Sequence, residues 1–414
     1  MTRPAIAPVA APPTSRATLA YELGHEPVLD GVRGIACLMV MGVHLSALGA
    51  RQMPGVLPNG FLGVDVFFVL SGFLITSLLL QEWSRTGTLS FKHFYLRRAL
   101  RLLPALYFFV AILCIVAAVF GWKATLGPKP WLSIGSTLFY FSNWIQDIGG
   151  LSITWSLSVE EQFYILWPPT LFLLLRRGVR LPVILGGLVL VVALVGGWRL
   201  ALWSSQVASE GVMAAFTQGY QRTDTRLDAP LIGCIAALWA AWRGLPKRTV
   251  VWDGLAIASV VLIAVACGGE DIRLTLRRPV PDLRLDVLFH GGFTVVALAS
   301  ACLILYMLAN ARGLASRIVS VAPLAWVGKR SYSLYLWHSF AFYTPATLLG
   351  RAADTATASW SGWLLLSAVK LGLAVAFSSI SYYAVERRFL RMKNRLTKDA
   401  TEAAKPPDAL TKAA

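Results

Sequence analysis

Apolar residues gather along this chain in ten long runs separated by polar or basic segments. The runs fall at about 33–50, 60–80, 104–120, 154–175, 182–203, 227–242, 250–267, 286–309, 331–350 and 361–385. Most reach the roughly 17–25 residues that a helix needs to cross a bilayer. A helix suits that setting because it satisfies its own backbone hydrogen bonds, which lipid cannot do. The pattern predicts an all-α, polytopic transmembrane helix bundle of about ten spans. Between the third and fourth runs lies a longer segment, 121–153, which is aromatic and only partly apolar. Its stretch "STLFYFSNWIQDI" predicts an element over 131–147 that is either re-entrant at the interface or an additional span.

Composition agrees with a membrane protein. Of 414 residues, 56% are hydrophobic and 14% charged, where a soluble domain carries about a quarter charged. Residues 29–390 read as one transmembrane domain between two tails. Residues 1–28 are Ala/Pro-rich and lack a continuous apolar core, so they read as a disordered cytoplasmic tail and not as a cleaved signal peptide. Residues 391–414 are polar and read as a second cytoplasmic tail. No internal repeat is visible.

The net charge of +17 would suit a nucleic-acid partner, but its distribution points elsewhere. With the amino terminus placed inside, the inner segments hold more than twice as many Lys and Arg as the outer ones. That is the bias that orients membrane proteins. Both termini are therefore expected in the cytoplasm, with membrane lipids and no nucleic acid among the partners. The outer segment "IRLTLRRPVPDLR" runs against the bias; it reads as a solvated loop, or as a contact for lipid headgroups or an anionic acceptor. Five cysteines, Cys37, Cys114, Cys234, Cys267 and Cys302, sit singly in apolar runs. They read as small packing residues, with no disulfide framework and no metal site expected.

Ionisable residues inside apolar runs are the candidates for chemistry, because they usually face a protein interior or a wet cavity. In "LDGVRGIACLMVMGVH", Arg33 and His44 stand eleven positions apart. On a helix they share nearly one face and are separated by roughly 16 Å along the axis. A neutral histidine there can take a proton from a hydroxyl, or can serve only as a hydrogen-bonding post between helices. Asp65, in "GVDVFFVLSGFLIT", lies near the outer end of the second run. It is placed to orient an imidazole, to pair with an arginine, or to meet interfacial water. The "SGF" at Ser71 to Phe73 supplies small residues for close helix packing and lacks the pattern of a nucleophile elbow.

Three further stretches carry polar clusters. "FKHFYLRRALRLLPALY" holds Arg97, Arg98 and Arg101 in the inner loop before the third run, with Pro104 suited to the first turn of the next helix. Arg98 and Arg101 share a helical face. Such guanidinium groups bind phosphates, and a basic inner loop also forms wherever anionic lipid is near. "TWSLSVEEQFYILWPP" begins an apolar helix with two carboxylates about 100° apart; Glu160 is the expected site residue and Glu161 the reserve. A carboxylate there can support an imidazolium, or can simply favour a helix amino terminus. In "VGKRSYSLYLWH", Tyr332, Tyr335 and His338 recur every three residues. This stripe lines a cavity or bonds helices together, the second being the expectation for His338. His290 reads as structural.

Taken in order, these stretches and the closing "SYYAVERRFL" resemble the acyltransferase-3 family of integral membrane acyltransferases over residues 29 to 390. Each stretch is modest alone, and the ordered set is specific. The resemblance implies a bacterial plasma-membrane enzyme. It would move an acyl group, often acetyl, from cytoplasmic acyl-coenzyme A to a hydroxyl of a sugar, polysaccharide, lipid or glycosylated metabolite. No permanently bound cofactor is implied; acyl-coenzyme A is a co-substrate. The family's arginine-ten-residues-histidine pattern falls on Arg33 and His44, its arginine pair on Arg98 and Arg101, and its acidic residue on Glu160. His44 is then the catalytic base, with Glu160 and Asp65 as supporting carboxylates. Arg33, Arg97, Arg98, Arg101 and Tyr335 become the substrate-binding set. Some members add an extracellular SGNH hydrolase-like domain, for which a chain of this length is expected to have no room. A proton-coupled transporter or flippase of a carbohydrate or lipid would also keep intramembrane His and Glu. The inverted repeats common in such folds are not found in the sequence.

Overall fold

The computed structural model describes residues 19–46, 59–268, 283–349 and 359–392. Ten helices of sixteen residues or more occur among them: α1 (Pro27–Ser46), α2 (Gly63–Thr86), α3 (Phe91–Phe120), α4 (Trp155–Arg176), α5 (Leu181–Glu210), α6 (Asp228–Arg243), α7 (Val250–Cys267), α8 (Phe293–Ala309), α9 (Ser331–Leu349) and α10 (Trp360–Ser381). Each falls on one of the apolar runs. No strand is present among the described residues. Among the described residues, seven helical segments are long and apolar enough to cross a membrane, those built on α1, α2, α3, α5, α7, α8 and α10. The remaining three, α4, α6 and α9, are shorter or more polar. The fold is an all-α polytopic bundle.

Exposure follows the membrane reading. On α5 and α7 the large apolar side chains point outward, among them Leu190, Leu194, Ile257 and Val265. A helix apolar on all sides and open to its surroundings suits a lipid contact. The core instead joins α1, α2, α3, α6 and α8. There the backbones touch. A Cβ at Gly72 on α2 would overlap the carbonyl of Pro230 on α6, and one at Gly233 would overlap that of Val69. The "SGF" stretch thus packs as small residues do between membrane helices. In the same way Gly34 of α1 lies against the carbonyl of Leu324 in the short helix Ala322–Lys329.

Two boundaries differ from the sequence expectation. Helix α3 starts at Phe91, so the basic stretch is helical and Pro104 lies inside the helix, not in its first turn. Hydropathy misplaced the start because Arg97, Arg98 and Arg101 break the apolar run. Neighbouring helices anchor this polar end, with Arg97 reaching Glu82 and Arg98 reaching Glu161. The element predicted over 131–147 is a nine-residue helix, Pro130–Leu138, followed by a short 3-10 turn. At 1.5 Å per residue it reaches roughly 14 Å, too short for a core of about 30 Å, so it does not span. The basic stretch "IRLTLRRPVPDLR" lies almost entirely outside the described residues, as do residues 1–18 and 393–414. Residues 20 to 23 dock onto the bundle: the Ala20 N–H donates to the Ala241 carbonyl at 2.8 Å, and Gln81 donates to the Leu23 carbonyl at 3.0 Å.

Candidate active site

A cavity of about 270 Å³ opens between α1, α2, α3, α4 and α9. Its longest wall is a stripe on α2: Val64, Phe67, Phe68, Ser71, Leu74, Ile75 and Leu78. Steps of three and four keep these residues on one helical face, and fourteen residues from first to last measure roughly 21 Å along the axis. The cavity is therefore long and narrow. Arg33, Arg98 and Arg101 line it, with Glu160 as the one lining carboxylate. Its formal charge is positive.

Each arginine is positioned differently. Arg98 donates to Glu161 at 3.0 Å and sits 3.2 Å from the centroid of the Tyr164 ring. Arg33 lies 3.8 Å from Asp30, one turn earlier on α1. Arg101 forms no ion pair with any described residue, and it lines the cavity. Arg97 does not line it; about 100° around the helix from Arg98, it turns to Glu82 at 3.8 Å. Of the four arginines expected to bind substrate, three converge on one space.

Glu160 is the carboxylate that faces the cavity, and Glu161 secures Arg98 beside it. Ser71 donates to Glu160, and the Tyr164 hydroxyl approaches the same oxygen at 3.4 Å. Ser71 was not singled out as a polar site residue, although its place on the α2 stripe was a usable signal. Tyr335 closes the cavity on the α9 side. Its hydroxyl donates to the Ile153 carbonyl at 3.2 Å and meets the Ser156 hydroxyl at 2.6 Å.

His44 stands beyond this wall and is not among the lining residues. The step to it runs through rings: Tyr335 to His338 with centroids 5.6 Å apart, then His338 to His44 with centroids 4.9 Å apart. His338 is fully buried, and its Nε2 lies 3.3 Å from Nδ1 of His44. The interhelical hydrogen bond expected of His338 is thus made to the other candidate histidine. Glu160 was expected to support that imidazole and is instead bonded to Ser71 and Tyr164. Asp65 goes to an arginine: Arg226 donates to it at 2.7 Å, both side chains being buried. Beside them Arg199 and Thr294 both donate to Asp228, at 2.8 and 2.6 Å. This buried network ties α2 to α5, α6 and α8. His290 bonds its own helix, at the Asp286 carbonyl. The five cysteines are unpaired. Among the described residues no group of three or more His, Cys, Asp or Glu is placed to hold a metal ion.

Comparison with known proteins bears on what this arrangement does. The family model described as an acyltransferase domain matches residues 26–382. The peptidoglycan O-acetyltransferase OatA of Listeria monocytogenes is 32% identical over 335 residues, which cover 78% of this chain and 50% of its own length. The O-acetyltransferase OatA of Staphylococcus aureus is 33% identical over 333 residues, covering 77% of this chain and 51% of its own. The chain spans about half the length of the curated relatives it matches. No solved structure matches it. The family match runs from the start of α1 to the end of α10 and takes in every wall of the cavity: the chain belongs to the acyltransferase-3 family.

Proposed function

We propose that this chain is a membrane O-acyltransferase that moves an acyl group, acetyl by preference, from acyl-coenzyme A to a hydroxyl of a carbohydrate acceptor. The observation that carries this reading is the convergence of Arg33, Arg98 and Arg101 on one elongated cavity. Guanidinium groups are suited to phosphate oxygens. The α2 stripe is long enough for a pantetheine arm, which extends on the order of 15–20 Å at 3.3–3.6 Å per residue-sized unit. The relatives named as O-acetyltransferases, one of them of peptidoglycan, favour acetyl as the group and a glycan as the acceptor.

In this reading the amino terminus lies in the cytoplasm and the donor enters on that side. Arg98 and Arg101 hold its phosphates, and Arg33 stands beside them. The arm runs along α2, where Glu160 accepts from an amide N–H of pantetheine. The thioester reaches His44 past Tyr335. His44 takes the proton of the acceptor hydroxyl as the oxygen bonds to the thioester carbonyl carbon. The tetrahedral intermediate collapses, the C–S bond breaks, and the proton passes to the leaving sulfur. General-base assistance of this kind contributes about 10²–10⁴-fold. Asp65 remains in its ion pair and takes no step.

The test is coenzyme A release by the purified full chain in detergent, with acetyl-coenzyme A as donor and a soluble glycan fragment as acceptor. Acceptor-stimulated release that is lost in His44→Ala is the expected result. A protein that binds no acetyl-coenzyme A and releases no thiol would overturn the reading.

A further inference from the structure

His44 and His338 come from α1 and α9, yet their rings meet edge to face. The hydrogen bonds between the two rings and to their own helices set which of these nitrogens donate. Nδ1 of His338 lies 2.7 Å from the Tyr335 carbonyl oxygen and 3.2 Å from that of Leu334. A carbonyl only accepts, so this nitrogen carries a hydrogen. In the neutral ring the lone pair then resides on Nε2, the atom 3.3 Å from Nδ1 of His44. Nδ1 of His44 is also 2.8 Å from the Val40 carbonyl, so it is a donor too. All four contacts agree in one arrangement. His338 donates to its own helix, and His44 shares its Nδ1–H between Val40 and His338. With Nδ1 protonated, the lone pair of the neutral His44 ring resides on Nε2.

We infer that His338 is the positioning residue for His44: it accepts the Nδ1–H of His44, fixes the tautomer that presents Nε2 as the base, and goes on accepting when that ring becomes cationic. The inference rests on the acyl-transfer reading, in which His44 is the base. A carboxylate commonly fills this role beside a catalytic histidine. Here a neutral ring fills it, fully buried and held between the rings of Tyr335 and Phe342, with centroids 5.6 and 5.7 Å away. The pair accepts a single proton. A hydrogen on Nε2 of His338 would face the Nδ1–H of His44, donor against donor. The proton taken from the acceptor hydroxyl therefore stays on Nε2 of His44 until the sulfur collects it. Neither carboxylate proposed from the sequence is needed for this.

The test combines kinetics with a tautomer measurement on the full chain in detergent. His338→Phe keeps a ring and removes the acceptor; His338→Gln restores an acceptor oxygen. In His338→Phe, kcat is expected to fall about tenfold or more, with KM for acetyl-coenzyme A within about twofold of wild type. His338→Gln should regain most of the loss. In the His44→Ala background, His338→Phe should cost nothing further. Nitrogen-15 labelling of the five histidines, with His44 assigned by its absence in His44→Ala, should show His44 as the Nδ1–H tautomer in wild type and as a mixture in His338→Phe. An Nε2–H tautomer of His44 in wild type, or His338→Phe with unchanged kcat, overturns the inference. Absence of turnover in every form, with the tautomer shift intact, would retire the acyl-transfer reading and leave the ring contact standing. A His338→Phe protein that does not fold leaves the decision to the wild-type tautomer and to His338→Gln.

Discussion

Arg98 is held on two sides at once: its guanidinium donates to Glu161 at 3.0 Å while lying 3.2 Å from the Tyr164 ring centroid. Both partners are on α4, one turn apart, so a single helix sets the direction of the fork. Arg101, one turn on along α3, faces the same cavity without an ion pair to any described residue. One guanidinium is fixed by its neighbours, and the other lines the cavity with no ion pair to a described residue.

Donor affinity should follow from this difference. Hydrogen bonds to charged groups are worth about 1.5–3 kcal/mol each, so Arg101→Ala should weaken acetyl-coenzyme A binding about tenfold or more. Arg98→Lys should be nearly as weak as Arg98→Ala, because a point charge replaces neither the fork nor the ring contact. Arg97→Ala should change binding little, since that side chain turns to Glu82. Calorimetry with acetyl-coenzyme A measures all four. Wild-type affinity in Arg101→Ala would remove the cavity from donor binding.

Loss of the base should act on turnover and not on donor binding. His44→Ala is expected to lower kcat by about 10²–10⁴. Its affinity for acetyl-coenzyme A should stay within about twofold, because His44 lies outside the cavity wall. Single-turnover thiol release separates the two quantities. A variant that keeps more than a tenth of wild-type kcat would exclude His44 from the chemistry.

The part of this site that was readable in sequence is the part built within one helix. Arg98 and Arg101 were grouped because a spacing of three shares a helical face; Arg97, expected to bind substrate with them, sits about 100° around the helix and turns to Glu82 instead. The choice between Glu160 and Glu161 was a choice of face on one helix and required no partner. Contacts between helices left no such mark. Asp65 and Arg226 are 161 positions apart, and His44 and His338 are 294 apart; nothing local in either stretch names the other. The ten helices were legible because apolar runs are long and their ends polar. The start of α3 was not, because a helix end that carries arginines toward carboxylates looks like a loop to hydropathy.

The ion pair of Asp65 with Arg226 should matter for stability and leave donor binding alone. Both side chains are almost fully buried, and removing one partner of a buried pair costs about 3–5 kcal/mol by stranding the other charge. Asp65→Ala should therefore lower the melting temperature in detergent markedly. The double variant Asp65→Leu/Arg226→Met should recover much of it, because no charge is left unpaired. Donor affinity of the folded double variant should match wild type. A double variant as unstable as Asp65→Ala would show that the cost lies in packing and not in the stranded charge.

Filling the cavity tests its use without touching an arginine. Ser71 faces the middle of the α2 stripe, so Ser71→Trp places an indole across the path from Arg98 to Tyr335. Acetyl-coenzyme A affinity should fall about tenfold or more, on the order of the 1.4 kcal/mol that a tenfold loss represents. Ser71→Val, which removes the hydroxyl bonded to Glu160 but adds little volume, should bind within a few-fold of wild type. Leu38→Trp, on an exposed face of α1, should bind as wild type does. Thermal melts of the three proteins establish that each is folded. If Ser71→Trp folds and binds the donor normally, the pantetheine arm does not lie along α2 and the path assigned to the thioester is wrong.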